Sequence, residues 1–313
     1  MLGRAVGGEL LSNGCNIRIF DLTPPTDGIK PGMEYLKGSV LDKEAVDRAV
    51  KGCTVVHHLA ASMPQAALTK EGFWEINVGG TMNVAKAAVR HGVKRIVFAS
   101  TIEIYGLHYP EEFPVTEESE KRFTGIYSRN KLECEERLLE LRDKEGIEVA
   151  FPRMPMIFGP GFYHEPSMKL LFRLIRRGLP VPVVASADAP WASVASFDAG
   201  VAFRLCAERE EADGEAFNIA ALDAPHCVDA LNDLILRAGS RSRLVKVPVK
   251  WTERVVSLME RYPERSPTPA ELARFALTGG VYSIEKARST IGYEPGHSAV
   301  DAMFSAYRYL HPG

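Results

Sequence analysis

Two hydrophobic periods alternate along the chain, one typical of buried strands and the other of amphipathic helices. The predicted strands, most of them rich in β-branched or aromatic residues, are residues 17–20, 35–36, 54–60, 95–99, 147–151 and 216–219. The predicted helices of the same region are residues 3–12, 42–50, 74–91 and 127–144, and a glycine closes three of them. This alternation predicts an α/β fold, a doubly wound parallel sheet with helices on both faces.

The regular alternation ends after about residue 160. Helical patterns at 167–178 and 198–207 flank a proline-rich stretch at 179–190, and residues 225–280 are charged and predicted to be helical. We expect residues 1–160, with returns of the chain near 192–220, to form the sheet domain. Residues 161–313 are expected to form mainly a smaller lobe near the carboxyl ends of the strands, where ligands bind in such folds.

Composition narrows the classes of partner. The 38 basic and 40 acidic residues give a net charge of −2, too little to recruit nucleic acid or an anionic membrane. No apolar run approaches the roughly 18 residues that span a bilayer, and residues 1–4 (MLGR) do not resemble a signal peptide. The five cysteines are scattered and form no C-x-x-C pair, so we expect free thiols, no metal site and a cytoplasmic location.

The first candidate for chemistry is a tyrosine–lysine pair on one helix. Tyr127 and Lys131 are four residues apart and therefore share a helix face, where the ammonium should lower the phenol pKa. A phenolate can take a proton from an alcohol while the alcohol carbon loses a hydride. The pair Tyr282 and Lys286 has the same spacing but no strand-borne hydroxyl upstream, so we expect it to be structural.

Hydroxyl groups follow the predicted strand at residues 95–99. Ser100 and Thr101 lie where that strand ends, upstream of Tyr127. A hydroxyl at this edge of a parallel sheet can hydrogen-bond a substrate oxygen and stabilise the charge that develops there.

With these residues the sequence resembles the extended short-chain dehydrogenase/reductases, also called NAD-dependent epimerase/dehydratases, over nearly its whole length. The segments with family motifs are residues 58–61 (HLAA), 77–83 (NVGGTMN), 100–106 (STIEIYG), 127–131 (YSRNK), 153–161 (RMPMIFGPG) and 283–295 (SIEKARSTIGYEP). The resemblance implies that Tyr127 is the general acid/base, that Lys131 binds the ribose and lowers the phenol pKa, and that Thr101 holds the substrate oxygen. It also implies a Rossmann-like NAD-binding domain, a small-molecule substrate and a homodimer.

The resemblance implies cofactor contacts along several strand ends. The residues concerned are Gly3, Asp21, Ser39, Val40, Leu59, Ala60, Ala61, Asn77, Ser100, Tyr127, Lys131 and Pro155. Asp21 ends the strand after the first helix, where an acidic residue bonds the ribose hydroxyls. Its carboxylate would repel a 2′-phosphate and residues 22–24 supply no arginine, so NAD is favoured over NADP.

The sequence departs from the family pattern at its start. Family members begin with a strand followed by T-G-x-x-G-[FY]-[IL]-G, and residues 1–3 align with the last three positions of that motif. Gly3 is then the third glycine, and the first strand, central in the family's sheet, is missing. We expect that the start was assigned too late; the alternative is a genuinely shortened chain.

Three functions are compatible with these motifs. Met156 stands where nucleotide-sugar enzymes usually have asparagine, and residues 156–161 look like the 3β-hydroxysteroid-dehydrogenase-like branch, which favours an oxidoreductase acting on a secondary alcohol or ketone. Glu103 resembles a second base of sugar 4,6-dehydratases and decarboxylases, so a nucleotide-sugar epimerase, dehydratase or decarboxylase is the alternative. A catalytically silent NAD-binding scaffold or sensor is the third. Ser62, Glu103 and Met156 are the predicted substrate contacts.

Overall fold

Every pair of named strands in the molecule runs parallel. The computed structural model describes residues 1–63, 66, 68–106, 108–123, 125–162, 166–184, 189–248 and 279–312. The strands are β1 (Ile17–Asp21), β2 (Met33–Lys37), β3 (Val55–His58), β4 (Arg95–Phe98), β5 (Ser100–Thr101), β6 (Glu148–Met154), β7 (Met156–Phe158), β8 (Val181–Val184), β9 (Ser193–Ala195), β10 (Glu215–Asn218) and β11 (Leu244–Val247). The helices are α1 (Leu2–Ser12), α2 (Lys43–Val50), α3 (Lys70–Trp74), α4 (Gly80–Arg90), α5 (Ile126–Glu145), α6 (Pro166–Arg176), α7 (Ser196–Glu208), α8 (Cys227–Arg237), α9 (Glu285–Ile291) and α10 (Ala299–Leu310).

The main sheet has the strand order β10-β6-β4-β3, and β5 continues the line of β4 by pairing with β6. Successive side chains of β4 point to opposite faces, as the period of two requires. Val97 packs with Val6 of α1 and Phe203 of α7, whereas Ile96 and Phe98 pack in a separate core with α2, α4 and α5. Both faces of the sheet are therefore covered by helices, and the predicted doubly wound α/β fold is confirmed.

Strands β1 and β2 form a second parallel sheet beside the main one, with Ile17 opposite Met33. In the described part of the chain, β1 bonds only to β2 and β3 bonds only to β4, so each has one edge without a strand partner. Both strands line a single cavity of about 1630 Å³. Helix α1 packs against α7, where Arg204 Nε donates to Glu9 Oε1 at 2.7 Å, and this contact ties the two-stranded sheet to the larger one.

A smaller lobe has its own core beside the sheet domain. Phe172 of α6, Leu234 of α8 and Met303 of α10 pack together there. Strands β8 and β11 pair with each other, and so do β7 and β9. One expectation is corrected here: residues 225–280, expected to be helical, contain β11, whose partner β8 lies in the proline-rich stretch at 179–190. Each strand exists because it pairs with the other, a distant contact that local patterns do not report. Residues 249–278 of that region lie outside the described part of the chain.

The helix predicted at 74–91 is interrupted by a wide turn. Helix α3 continues through a π-helical turn at Glu75–Gly79 into α4. A β-carbon on Gly80 would lie 2.6 Å from Val40 Cγ2, so only glycine allows this close approach to the loop before α2. Such π-turns often mark functional sites. No helix among the described residues is long and apolar enough to cross a membrane.

His58 at the end of β3 makes the folded state sensitive to acid. Burial, and then the charge of Lys131, lower the pKa of His58 from 6.5 to about 3. In the unfolded chain His58 binds a proton below about pH 6.5, whereas in the folded chain it binds one only below about pH 3. The free energy of unfolding therefore decreases as the pH falls through this window. At pH 5 the loss is about 2 kcal/mol.

We expect His58→Gln, whose amide can still reach Thr81, to unfold less steeply with acid than the parent protein. Urea unfolding between about pH 5 and pH 7.5 measures the free energies of both proteins. Leu236→Gln, at a position that is 77% exposed and carries no ionisable group, is the control and should keep the parent's pH dependence. Identical pH profiles for the parent and His58→Gln would contradict this assignment.

Candidate active site

The cavity reaches the carboxyl ends of the sheet strands, where the predicted catalytic residues meet. Thr101, Tyr127 and Lys131 all line it, as do Glu103 and Met156. Parallel strands end at one edge of a sheet, so side chains distant in sequence come together there. The cavity also exceeds the roughly 300–1,000 Å³ of an ordinary small-ligand pocket.

Thr101 is held by the turn that follows β5. Its hydroxyl oxygen accepts a hydrogen bond from the backbone N–H of Glu103 at 3.2 Å and so caps the 3₁₀ turn Ile102–Tyr105. A hydroxyl that accepts one bond still has its own proton to donate. The cap therefore fixes the side chain while its proton stays available to an oxygen in the cavity.

Tyr127 and Lys131 lie in the first two turns of α5. The Lys131 Nζ atom is 5.7 Å from the centre of the Tyr127 ring and 4.5 Å from the centre of the Phe98 ring. It donates a hydrogen bond of 2.6 Å to the carbonyl of Ala99, the residue between β4 and β5. The lysine is thus anchored to the same strand end that carries Thr101.

Burial dominates the acid–base properties of this pair. It lowers the pKa of Lys131 from 10.5 to about 8. The pKa of Tyr127 is raised, by burial first and then by the charges of Glu103 and Cys134. The predicted lowering of the phenol pKa by Lys131 is therefore corrected: loss of water opposes phenolate more strongly than the nearby ammonium favours it. Tyr127 therefore keeps its proton near neutral pH.

A buried polar network supports the strand end that carries Ser100 and Thr101. Arg153 and Glu135 form an ion pair of 2.6 Å, and their side chains are 5% and 4% exposed. Ser100 donates its hydroxyl proton to Glu135, and Arg153 donates to the phenol oxygen of Tyr105 at 2.8 Å. The Tyr105 hydroxyl in turn donates to Asn218 at 2.8 Å. The network links β5, β6, α5 and β10 into one rigid unit.

Most of the predicted cofactor residues line the same cavity. They are Gly3, Asp21, Val40, Leu59, Ala60, Ala61, Ser100, Tyr127, Lys131 and Pro155. Ser39, Asn77 and Ser62 are not among the residues that form its wall. Asn77 instead exchanges two hydrogen bonds with the backbone of Ser62, of 2.7 and 3.2 Å, and so supports the loop after β3. The Ser39 hydroxyl accepts from the backbone N–H of Leu41.

Tyr282 is a cavity residue that was not predicted from the sequence. Its ring lines the cavity, whereas Lys286 turns away and pairs with Glu215 at 2.6 Å. The two residues therefore do not form a second tyrosine–lysine pair, and only the phenol reaches the site. The pair of glycines ahead of Tyr282, at 279 and 280, was the one local signal of a tight approach.

The neighbouring histidines at the end of β3, His57 and His58, contact side chains of the folded interior. His58 Nε2 hydrogen-bonds Thr81 Oγ1 at 2.9 Å, and the His57 ring packs 6.0 Å from the Phe203 ring. Among the described residues no group of three His, Cys, Asp or Glu side chains could hold a metal ion.

Known proteins share both the sequence pattern and the fold. The model of the NAD dependent epimerase/dehydratase family matches residues 1–220. An uncharacterized protein of Sinorhizobium fredii, y4nG, is 30% identical over 98% of this chain and 75% of its own length. A 3 beta-hydroxysteroid dehydrogenase/Delta 5→4-isomerase of Mycobacterium tuberculosis is 26% identical over 96% of this chain and 85% of its own. The UDP-glucose 4-epimerase of Thermus thermophilus, solved in complex with NAD, superposes with a TM-score of 0.77 at 20% identity, covering 100% of this chain and 96% of that one. As the sequence resemblance predicted, the chain belongs to the NAD-dependent epimerase/dehydratase family, a family of enzymes.

Proposed function

We propose that this protein is an NAD-dependent oxidoreductase that moves a hydride to or from a secondary alcohol or ketone carbon. The observation that carries the proposal is the convergence of Thr101, Tyr127 and Lys131 on one wall of the cavity. A hydroxyl donor, a phenol and an ammonium are the groups needed to bind a substrate oxygen and move its proton. The similarity to a hydroxysteroid dehydrogenase supports the same reaction class.

The residues at the other end of the cavity fit a dinucleotide. Helix α1 begins beside it, and the backbone N–H groups of Leu2 and Gly3 at its first turn have no partner within the helix, so they can donate to a phosphate. Asp21 lines the cavity at the end of β1, where its carboxylate can accept from ribose hydroxyls.

The protein's own groups perform the proton transfer. When bound, the nicotinamide supplies or accepts the hydride. In the reduction direction Tyr127 gives its proton to the substrate oxygen, and Thr101 donates a hydrogen bond to the same oxygen as charge builds up on it. Lys131 holds a positive charge near the phenol and eases the loss of its proton. The apolar side chains of Met156 and Phe162 line the cavity and suit an apolar carbon skeleton.

A redox-neutral reaction on a nucleotide sugar is the second candidate. It is favoured by Glu103, an exposed carboxylate in the same cavity that contributes to the raised pKa of Tyr127. Net formation of NADH distinguishes the two candidate functions. An oxidoreductase forms NADH in proportion to product from a secondary alcohol, whereas an epimerase or dehydratase converts its nucleotide sugar without net NADH.

Tyr127→Phe tests the proposed general acid/base. Removal of the hydroxyl should lower turnover by roughly 10²–10⁴-fold, the usual contribution of such a group. NADH binding, followed by fluorescence titration, should persist because the ring remains. Tyr109→Phe, at an exposed position outside the cavity, should keep the parent's turnover. Undiminished turnover in Tyr127→Phe would refute the assigned role.

The pH profile of reduction tests Lys131. Since its pKa is about 8, the ammonium charge is lost as the pH rises through that value, while the raised pKa of Tyr127 keeps the phenol protonated. We expect kcat/KM for reduction to be constant below about pH 7 and to fall above about pH 8. In Lys131→Arg the fall should move to higher pH, because a guanidinium stays charged. A profile that is flat on both sides of pH 8 is the contrary result.

Asp21→Ser tests the proposed preference for NAD over NADP. Loss of the carboxylate removes repulsion of a 2′-phosphate, so the affinity for NADP relative to NAD should rise by about tenfold. Titration of both cofactors against the parent and the variant measures this ratio. Asp143→Ser, whose side chain is 71% exposed, is the control and should leave the ratio unchanged. An unchanged ratio in Asp21→Ser would exclude Asp21 as the selecting group.

A further inference from the structure

The phenol of Tyr282 enters the cavity from a segment that the proposed reaction does not use. Tyr282 follows Gly279 and Gly280 and lines the cavity together with Tyr127 and Glu103. Its approach depends on Gly280, because a β-carbon there would lie 2.6 Å from the Tyr282 ring and 2.8 Å from its hydroxyl oxygen. The chain therefore makes room for this phenol at the catalytic end of the cavity.

Backbone and ring contacts hold Tyr282 in place. Tyr282 forms a parallel β-bridge with Val115, and the N–H groups of Val115 and Ser283 donate to carbonyls of the opposite segment at 2.7 and 2.9 Å. The Tyr282 ring lies 6.1 Å from the ring of Tyr105. The ring of Tyr282 therefore packs against a tyrosine that is itself held by hydrogen bonds to Arg153 and Asn218.

The charge of Glu103 acts on both phenols, because it is among the causes that raise the pKa of Tyr127 and the pKa of Tyr282. Glu103 belongs to the same 3₁₀ turn as Tyr105 and is exposed in the cavity. Burial is the main cause of the raised pKa of Tyr282, and the charges of Tyr105 and Glu103 add to it. The Tyr282 hydroxyl thus stays protonated across the physiological range and can donate, whereas a carboxylate such as Glu103 accepts.

We propose that Tyr282 and Glu103 form a second recognition point, which binds a hydroxyl group of the substrate away from the reacting carbon. A hydroxyl both accepts and donates hydrogen bonds, so it matches a phenol donor and a carboxylate acceptor that line the same cavity. A ketone or ether oxygen satisfies only the phenol. The substrate class is therefore a compound with a second hydroxyl besides the reacting oxygen. This inference rests on the proposed function and narrows its substrate.

Binding of small model compounds tests this without any turnover. The probes are the three positional cyclohexanediols and cyclohexanol, each titrated against the protein saturated with NADH, which cannot oxidise an alcohol, and followed by saturation-transfer NMR. In the parent protein at least one diol should bind about tenfold more tightly than cyclohexanol, the effect of one or two hydrogen bonds to a polar pair. Each diol serves as a test of a different distance between the two oxygens.

The ratio of the dissociation constant of cyclohexanol to that of the tightest-binding diol should fall towards one in both Tyr282→Phe and Glu103→Gln. Tyr282→Phe removes the donor and Glu103→Gln removes the charge, and both keep the size of the side chain. Tyr109→Phe is the matched control and should keep the parent's ratio. A ratio unchanged in the two variants overturns the proposal, and so does a parent protein that binds no diol better than cyclohexanol. Thermal unfolding of each variant verifies that it is folded.

The outcome is separable from that of the proposed function. Tyr127→Phe removes the hydroxyl that moves the proton but leaves Tyr282 and Glu103 intact, so the preference for a diol should persist in that variant. Loss of turnover in Tyr127→Phe with no diol preference in any variant supports the oxidoreductase and rejects the second recognition point. A diol preference with undiminished turnover in Tyr127→Phe supports the second recognition point and rejects the proposed role of Tyr127.

Discussion

The buried ion pair between Arg153 and Glu135 is the constraint on which the strand ends that carry Ser100 and Thr101 depend. Two charges removed from water are costly unless each finds a close partner, and one left alone would destabilise the fold by several kcal/mol. Here the pair is completed by Ser100 and Tyr105, so no charge is left uncompensated. The same contacts fix the strand end of Thr101 and the ring that supports Tyr282. A single electrostatic requirement thus positions groups from distant parts of the chain.

Exclusion of water also sets the chemistry of the site. It weakens the charged form of every group it surrounds, so Lys131 is a more readily discharged cation and Tyr127 a more reluctant acid than either would be in solution. Two effects on the Tyr127 phenol therefore oppose each other. Burial makes the phenol harder to deprotonate, whereas the positive charge of Lys131 favours its deprotonation. In the proposed reaction, substrate and cofactor would bind where the fold has already set the pKa values of Tyr127 and Lys131.

Local sequence patterns were sufficient to predict the strands and helices of the main sheet. They also singled out Thr101, Tyr127 and Lys131 at its edge. Buried strands such as β4 have continuous apolar runs, and Tyr127 and Lys131 are neighbours on one helix, so both follow from short stretches of sequence. Strands β8 and β11 could not be predicted, because each is stabilised by the other and β11 alternates poorly between buried and exposed positions. Tyr282 was not predicted as a cavity residue, because its bridge to Val115 joins distant segments of the chain. The direction of the pKa shift of Tyr127 was not predicted either, because burial depends on the folded surroundings.

The two hydrogen bonds between Asn77 and Ser62 have a consequence for how the sequence of the loop after β3 can vary. The Asn77 amide accepts from the Ser62 N–H and donates to the Ser62 carbonyl, so both bonds go to the backbone of the loop. They require a donor and an acceptor on the side chain at position 77 but place no requirement on the side chain at position 62. The neighbouring residues Ala61 and Met63 line the cavity. Side chains in this part of the cavity wall can therefore be exchanged without loss of the backbone support that Asn77 provides.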